Sequence, residues 1–143
     1  MVTLTDYLNE YKDSHQNPVN IKLHLICVPL IVWSLLGFLH EFRLVGDIHI
    51  SHIFACLGIL FYVYLDHWRV TLAMIVVVGL MVASFNFIPH LTALSAALFV
   101  TAWLGQFYGH KVEGRKPSFF KDFVFLLIGP VWILKKIAPN IVF

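Results

Sequence analysis

Charged residues are scarce in this chain of 143 residues. Only 13% of the residues are charged, whereas 59% are hydrophobic and the mean hydropathy is +0.82. Such a chain has too little polar surface to cover a soluble globule, so the composition excludes a soluble protein and predicts an integral membrane protein. The length allows one compact domain, which we expect to cover residues 1–143.

Other common features are also missing. The segment before residue 15 has no charged region followed by an apolar one, which predicts that it contains no cleavable signal peptide. Two cysteines, Cys27 and Cys56, both lie in apolar segments, where they are expected to fill space rather than to form a disulfide. The net charge is only +2, and we expect no nucleic-acid partner.

The apolar segments predict an all-α membrane protein with four transmembrane helices. Thr3–Ser14 has apolar residues at helical spacing, which fits a helix on the membrane surface, although a frayed terminal helix would show the same pattern. Phe123–Leu134 is short for a span and contains Gly129-Pro130, so it predicts a re-entrant or interfacial helix. The four predicted spans are Pro18–Leu39, Ile50–Leu65, Val70–Ile88 and Leu91–Tyr108.

The positions of the basic residues indicate the orientation of these spans. With four crossings, most basic residues share one side, and Arg43 lies opposite. The positive-inside rule makes the shared side cytoplasmic. The residues on this side are Lys12, Lys22, Arg69, Lys111, Arg115, Lys116 and Lys121, joined by Lys135 and Lys136 if the C-terminal segment does not cross.

Four crossings also bring several candidate metal ligands to the cytoplasmic face. His24 and His110 stand out, because each has polar neighbours on its own helical face, with Gln106 and Glu113 flanking His110. His49 and His52 have the spacing of a helical metal pair but fall on the other side. The cytoplasmic set is His15, His24, Asp66, His67, His110 and Glu113, whereas His40, His49, His52 and His90 lie opposite.

Simpler roles remain open for each of these residues. A lone histidine at a membrane boundary is more often a hydrogen-bonded interfacial residue than a metal ligand. Asp66 can instead pair with Arg69, and Glu113 can pair with Arg115 or Lys116. The basic run after the fourth span is first a topology signal and only second a site for a substrate carboxylate.

Five blocks of the chain together resemble one known family. They follow each other in the order His15-Gln-Asn-Pro-Val-Asn20, His24 with Pro29, Tyr64-Leu-Asp66, Gln106–Pro117 and Gly129-Pro130. In this order they are similar to the small membrane 2-hydroxy fatty acid dioxygenases, iron-dependent enzymes on the route from phytosphingosine to odd-chain fatty acids. The chain differs from that family at Cys27, where glycine is usual, and at His67, where proline is usual, which leaves His67 outside the predicted ligands.

The resemblance implies an enzyme in a lipid bilayer that uses Fe(II) and dioxygen. Its reaction would cleave a 2-hydroxy fatty acid to a fatty acid one carbon shorter. The site would lie on the cytoplasmic side of a bacterial inner membrane or of the endoplasmic reticulum. The predicted catalytic metal ligands are His15, His24 and His110, with Asp66 and Glu113 as further candidate ligands, and the predicted substrate-binding residues are Asn20, Gln106, Arg115 and Lys116.

Two other functions match parts of the pattern. A dinuclear-iron fatty acid hydroxylase would need clustered histidine pairs at one face, and only His49 and His52 approach such a pair. A non-enzymatic membrane carrier of metal ions or protons would need polar residues through its spans, yet Val70–Phe85 offers only Thr71 and Ser84.

Overall fold

The computed structural model describes residues 2–65, 67–120 and 124–143, and these are mostly helical. Asp66, a predicted ligand, lies outside the described residues, as do Lys121 and the first residue of the predicted C-terminal helix, Phe123. Short 3-10 turns occupy Phe85–Phe87 and Ser118–Phe120. The helices are α1 (Leu4–Asp13), α2 (Pro18–His40), α3 (Ile50–Tyr64), α4 (Trp68–Ser84), α5 (Leu91–Glu113), α6 (Phe125–Ile137) and α7 (Pro139–Val142).

Three helical segments of the described chain are long and apolar enough to cross a membrane. They are α2, Trp68–Phe87 and α5, with mean hydropathies of 2.0, 2.3 and 1.3. Helix α3 is also apolar, but its 15 residues fall short of the roughly 20 that a straight span needs. These segments confirm a helical membrane protein, while the fourth span stays a prediction.

A short β-hairpin connects the first two predicted spans, Pro18–Leu39 and Ile50–Leu65. Strand β1 (Arg43–Val45) pairs antiparallel with β2 (Ile48–His49). Gly46 has a φ of +56°, which lets the chain reverse within a tight turn. The sequence did not predict this hairpin, because strands of three and two residues are too short to show the alternation that marks a strand in sequence.

Helix α1 is a packed element rather than a frayed end. It begins with a capping box, in which Asp6 N–H donates to the Thr3 hydroxyl at 3.2 Å and Thr3 N–H donates to the Asp6 carboxylate at 2.8 Å. Its apolar face packs against α6, which is itself largely buried. The buried residues of α1 are Leu4, Leu8 and Tyr11, and those of α6 include Phe125, Ile128, Val131, Trp132 and Ile133.

Packing divides the chain into two compact units. The first comprises Met1–Pro29 and Ala102–Phe143, and the second comprises Leu30–Thr101. The first unit therefore holds α1, the start of α2, the end of α5, α6 and α7. The second holds the hairpin, α3, α4 and the remaining parts of α2 and α5. The single domain expected for residues 1–143 stays a prediction.

In the first unit, α2 and α5 approach closely at two glycines one helical turn apart. A Cβ atom on Gly105 would lie 2.7 Å from Cys27 Sγ, and one on Gly109 would lie 2.5 Å from Asn20 Oδ1. Glycines at this spacing are typical of membrane helices whose backbones come close together. Helix α2 carries His24 and α5 carries His110, so this approach brings the two histidine-bearing helices together.

We predict that Gly109→Ala destabilises the protein by about 1–3 kcal/mol, as overpacking does in other cores. The added methyl group would meet Asn20, whose side chain is fully buried and hydrogen-bonded and so cannot move aside. The control is Gly79→Ala in α4, where no described atom lies within 4 Å of the added Cβ. Thermal unfolding in detergent, followed by circular dichroism, should give a lower midpoint for Gly109→Ala alone; equal midpoints would contradict the close approach.

Candidate metal centre

Three histidines from distant parts of the sequence meet in the first unit. His15 lies between α1 and α2, His24 lies near the start of α2, and His110 lies in the last turn of α5. Their exposed fractions are 2%, 1% and 5%. One nitrogen from each ring lies within 4.8 Å of the other two, so this cluster could bind a metal ion.

The three imidazole rings are nearly perpendicular to one another. The ring centroids are 4.3 Å apart for His15 and His24, 5.0 Å for His15 and His110, and 4.8 Å for His24 and His110. The corresponding interplanar angles are 79°, 76° and 88°. Rings at such angles can each direct one nitrogen toward a common point, which parallel stacked rings cannot do.

Hydrogen bonds determine which nitrogen of His15 and His24 carries a proton. Nδ1 of His15 lies 2.6 Å from the carbonyl oxygen of Tyr11, and Nδ1 of His24 lies 2.9 Å from that of Asn20. A carbonyl oxygen only accepts, so Nδ1–H is the donor in both bonds. In the neutral imidazole, Nε2 of each ring then keeps its lone pair for a metal ion.

Two nitrogens of the cluster are buried without a hydrogen-bond partner among the described residues. They are Nε2 of His15 and Nδ1 of His110. An unpaired buried polar atom costs roughly 1–3 kcal/mol, which a bound metal ion would offset by accepting the lone pair. The donor set therefore fits a metal ion.

Burial keeps the imidazole of His15 uncharged. It lowers the pKa of His15 from 6.5 to about 4, and the hydrogen bond to the Tyr11 backbone opposes this shift only in part. A neutral imidazole is the form that binds a metal ion, so His15 is ready to act as a ligand at neutral pH.

Aromatic side chains hold the ring of His15 in place. Tyr11 stacks on it with centroids 4.0 Å apart and planes 7° apart, and Trp132 of α6 lies 5.3 Å away. Tyr11 thus contributes both its ring and its backbone carbonyl to the same histidine. The packing of α1 on α6 therefore positions a candidate ligand, although neither helix contains one.

The predicted carboxylate ligands are not part of the cluster found among the described residues. Asp66 lies outside those residues. The Oε1 atom of Glu113 accepts the N–H of Gln16 at 3.0 Å, and its Oε2 atom accepts the N–H of Asn17 at 2.8 Å and Nδ2–H of Asn20 at 3.0 Å. A ligand role for either carboxylate stays a prediction.

The predicted substrate-binding residues differ in their surroundings. Asn20 and Gln106 are buried, whereas Arg115 and Lys116 are exposed. Nη1 of Arg115 donates to the carbonyl oxygen of Asp13 at 2.9 Å. The two basic residues line an open surface groove of about 800 Å³, together with Glu10, Asp13, Ser14, Pro117 and Ser118. Their role in substrate binding stays a prediction.

The four histidines predicted for the other membrane face all lie in the second unit, and three of them, His40, His49 and His52, contact one another there. The rings of His40 and His49 are stacked, with centroids 3.9 Å apart and planes 13° apart. Nδ1 of His40 is hydrogen-bonded to Oγ of Ser51 at 2.9 Å, and the backbone N–H of His49 donates to Nδ1 of His52 at 2.9 Å. These bonds secure the hairpin and the start of α3.

Sequence analysis missed several residues that support the site. Tyr11 lies four residues before His15, which is the spacing at which a backbone carbonyl reaches an imidazole in a helix, and this signal was available. The Gly105-x-x-x-Gly109 spacing was another available signal for a close helix pair. Nothing in the sequence pattern pointed to Trp132, because it reaches His15 only through the packing of α6.

The fold and the cluster define an apolar helical membrane protein with a candidate metal centre of three buried histidines. Residues 1–141 match the sequence model of the Mpo1-like family, described as 2-hydroxy-palmitic acid dioxygenase Mpo1-like. The chain belongs to this family, which confirms the resemblance seen in the sequence. No solved structure matches the chain.

A curated relative comes from Saccharomyces cerevisiae. It is the protein named 2-hydroxy-palmitic acid dioxygenase MPO1, which is 29% identical to this chain over 140 residues. The aligned region covers 94% of this chain and 79% of the yeast protein. The aligned region therefore includes His15, His24 and His110.

We predict that the purified protein binds about one Co²⁺ ion per chain at this centre. His24→Ala and His110→Ala should each weaken binding by more than about 100-fold, since even the loss of an outer hydrogen-bond partner costs about 10–100-fold. The measurement is a Co²⁺ titration followed by ligand-field absorption in detergent. The control is His90→Asn, because His90 is exposed and Asn tolerates its φ of +53°. Wild-type affinity in both alanine variants would rule out the centre.

Proposed function

We propose that this protein is an Fe(II)-dependent dioxygenase that cleaves 2-hydroxy fatty acids to fatty acids one carbon shorter. The observation that carries the proposal is the buried cluster of His15, His24 and His110, in which two ring nitrogens lack a hydrogen-bond partner among the described residues. Neutral imidazoles that leave coordination positions open suit non-haem iron. The name of the yeast relative supports the substrate class.

The three histidines would hold the iron through Nε2 of His15, Nε2 of His24 and Nδ1 of His110. The bound ion would supply the redox chemistry and a place where dioxygen and the 2-hydroxy acid meet. The protein keeps the imidazole of His15 neutral by burial and fixes the rings of His15 and His24 through the carbonyl oxygens of Tyr11 and Asn20. Asp66 remains a further candidate ligand.

The proposed reaction balances without another cosubstrate. One 2-hydroxy acid and one dioxygen give the acid one carbon shorter, one carbon dioxide and one water. The bond between the first two carbons breaks, the second carbon is oxidised to the new carboxyl group, and dioxygen is reduced. The lost carbon leaves as carbon dioxide.

We further propose that α3 is the fourth membrane crossing, which makes the number of crossings even. Its 15 residues can cross where the bilayer thins locally around a short helix. Large apolar side chains on α3 support a lipid-facing surface, because Leu57, Leu60 and Val63 are 58%, 61% and 56% exposed. The site would then lie at the cytoplasmic face of a bacterial inner membrane or of the endoplasmic reticulum.

This topology suits a substrate with a polar head and an apolar tail. The carboxylate and hydroxyl group would react at the membrane boundary, beside the basic residues that follow α5. The acyl tail would stay among the apolar helices and never need to enter water. Arg115 and Lys116 are proposed to attract the substrate carboxylate, with Asn20 and Gln106 closer to the histidines.

The two alternative functions have less support. A dinuclear-iron hydroxylase needs ligands for a second ion, and the described residues contain one cluster of three metal-binding side chains. A metal or proton carrier needs a polar path through its helices, and the described residues of α4 are apolar apart from Arg69, Thr71 and Ser84.

We predict that the purified protein, supplied with Fe(II) and air, converts 2-hydroxyhexadecanoic acid to pentadecanoic acid. His110→Ala should lower turnover by more than about 100-fold, because a missing ligand is a larger loss than a missing outer hydrogen bond. Mass spectrometry measures the product, and circular dichroism verifies that the variant remains helical. Wild-type protein with bound iron that makes no shortened acid would reject the proposed function.

We predict that Arg115→Gln and Lys116→Gln raise KM for the 2-hydroxy acid about 2–5-fold each and leave kcat nearly unchanged. Exposed charge pairs contribute roughly 0.2–1 kcal/mol, and these groups would act on binding rather than on the chemical step. Steady-state kinetics at low salt gives both constants. The control is Lys12→Gln, which removes an exposed positive charge from α1. An equal KM change in the control would show that Arg115 and Lys116 do not specifically bind the substrate carboxylate.

A further inference from the structure

We propose that Glu113 is a positioning residue that fixes the three-histidine centre without binding the metal ion. This inference rests on the proposed metal site, and it assigns the glutamate a role different from that of a ligand. The carboxylate would act through the backbone on either side of His15, through Asn20 and through α5 itself.

Both carboxylate oxygens of Glu113 are directed to the start of α2. Oε1 accepts the N–H of Gln16, and Oε2 accepts the N–H of Asn17 and the side-chain amide of Asn20, all at 2.8–3.0 Å. Three donors from another part of the chain therefore converge on one carboxylate. Hydrogen bonds to a charged acceptor are roughly twice as strong as neutral ones, so this link is stronger than an ordinary contact between side chains.

These bonds hold the backbone on both sides of His15. Gln16 and Asn17 directly follow the histidine, and their N–H groups bind Glu113. On the other side, the carbonyl oxygen of Ser14 accepts the side-chain amide of Asn20 at 3.3 Å. His15 itself lies between α1 and α2, where its backbone N–H donates to the carbonyl oxygen of Lys12 at 3.0 Å but no regular helical ladder continues.

Asn20 extends the same link to His24. Its backbone carbonyl accepts Nδ1–H of His24, while its side chain binds Glu113. The residue is fully buried, and Gly109 of α5 leaves just enough space for its side chain. A shift of Glu113 would therefore move the group that orients the second ligand.

The third ligand is joined to Glu113 through α5. His110 lies three residues earlier in the last turn of that helix, so the two side chains leave nearly the same face. The turn is closed by Gly114, whose N–H donates to the carbonyl oxygen of His110 at 3.0 Å and whose φ is +73°. The carboxylate of Glu113 thus connects the three segments that carry His15, His24 and His110.

The start of α2 is also a favourable place for a carboxylate. Asn17 caps the helix, since its Oδ1 accepts the N–H of Val19 at 2.9 Å, and the N–H groups nearby carry partial positive charge. A glutamine side chain would be a poor replacement for Glu113, because its NH₂ group would face other donors. The metal-binding nitrogens form their cluster without any atom of Glu113.

The test compares Glu113→Gln and Glu113→Ala in full-length protein in detergent by Co²⁺ titration. Glu113→Ala should weaken Co²⁺ binding by about 10–100-fold, the usual cost of losing a group that orients a ligand, and Glu113→Gln should weaken it less. At saturating Co²⁺, both variants should give the wild-type absorption spectrum, because the ligands are unchanged. The matched control is Lys111→Gln, an exposed residue in the same turn of α5, which should bind as wild type.

Hydrogen exchange provides a readout that needs no metal. The amides of Gln16 and Asn17 should exchange at least about tenfold faster in Glu113→Ala, since the acceptor of both is removed. Exchange in residues 30–101 should match wild type, which verifies that the variant is folded. Lys111→Gln should show wild-type exchange both at Gln16 and Asn17 and in residues 30–101. If Glu113→Ala does not fold, Glu113→Gln supplies the same comparison with a smaller expected change.

Each outcome decides the proposal. A different Co²⁺ spectrum at saturation in the Glu113 variants would make Glu113 a ligand and overturn it, as would unchanged affinity and exchange. Absence of Co²⁺ binding by the wild type would overturn both this inference and the metal centre. If wild type binds Co²⁺ and the Glu113 variants behave as expected, but no shortened acid forms with iron, only the proposed reaction fails.

Discussion

The site depends on two backbone carbonyl groups that keep the protons of two buried imidazoles away from their shared space. The carbonyl of Tyr11 binds Nδ1–H of His15, and that of Asn20 binds Nδ1–H of His24. Without these acceptors, either ring could turn its proton inward, and three neighbouring imidazoles could not offer their lone pairs together. The carbonyls belong to α1 and α2, so packing on α6 and on α5 respectively is what keeps the donor atoms aligned.

Much of the helical framework was predictable because apolar length and proline mark it clearly. The first predicted span, Pro18–Leu39, ends one residue before α2 does, and the N-cap at Asn17 is present. The sequence also predicts that His15, His24 and His110 meet, and the structure brings them together, whereas the four crossings from which this was argued stay a prediction. The match of the whole chain to the Mpo1-like family agrees with this order of motifs.

The contacts between segments were not predictable from pattern. Helical spacing indicates that His110 and Glu113 share a face, but it cannot tell which partner that face meets, so it gives no sign of the hydrogen bonds from Glu113 to the start of α2. The hairpin could not be predicted because its strands have only three and two residues. Trp132 was missed for a similar reason, because its approach to His15 follows from how α6 packs and not from any local sequence signal.

The position of α6 has a consequence for biogenesis. This helix covers the buried face of α1 and brings Trp132 beside His15, yet the ribosome synthesises it more than a hundred residues after that histidine. Until α6 emerges, the apolar side of α1 has no partner and must be shielded by lipid or by a chaperone. The histidine cluster therefore cannot reach its final packing until α6 has been synthesised and covers α1.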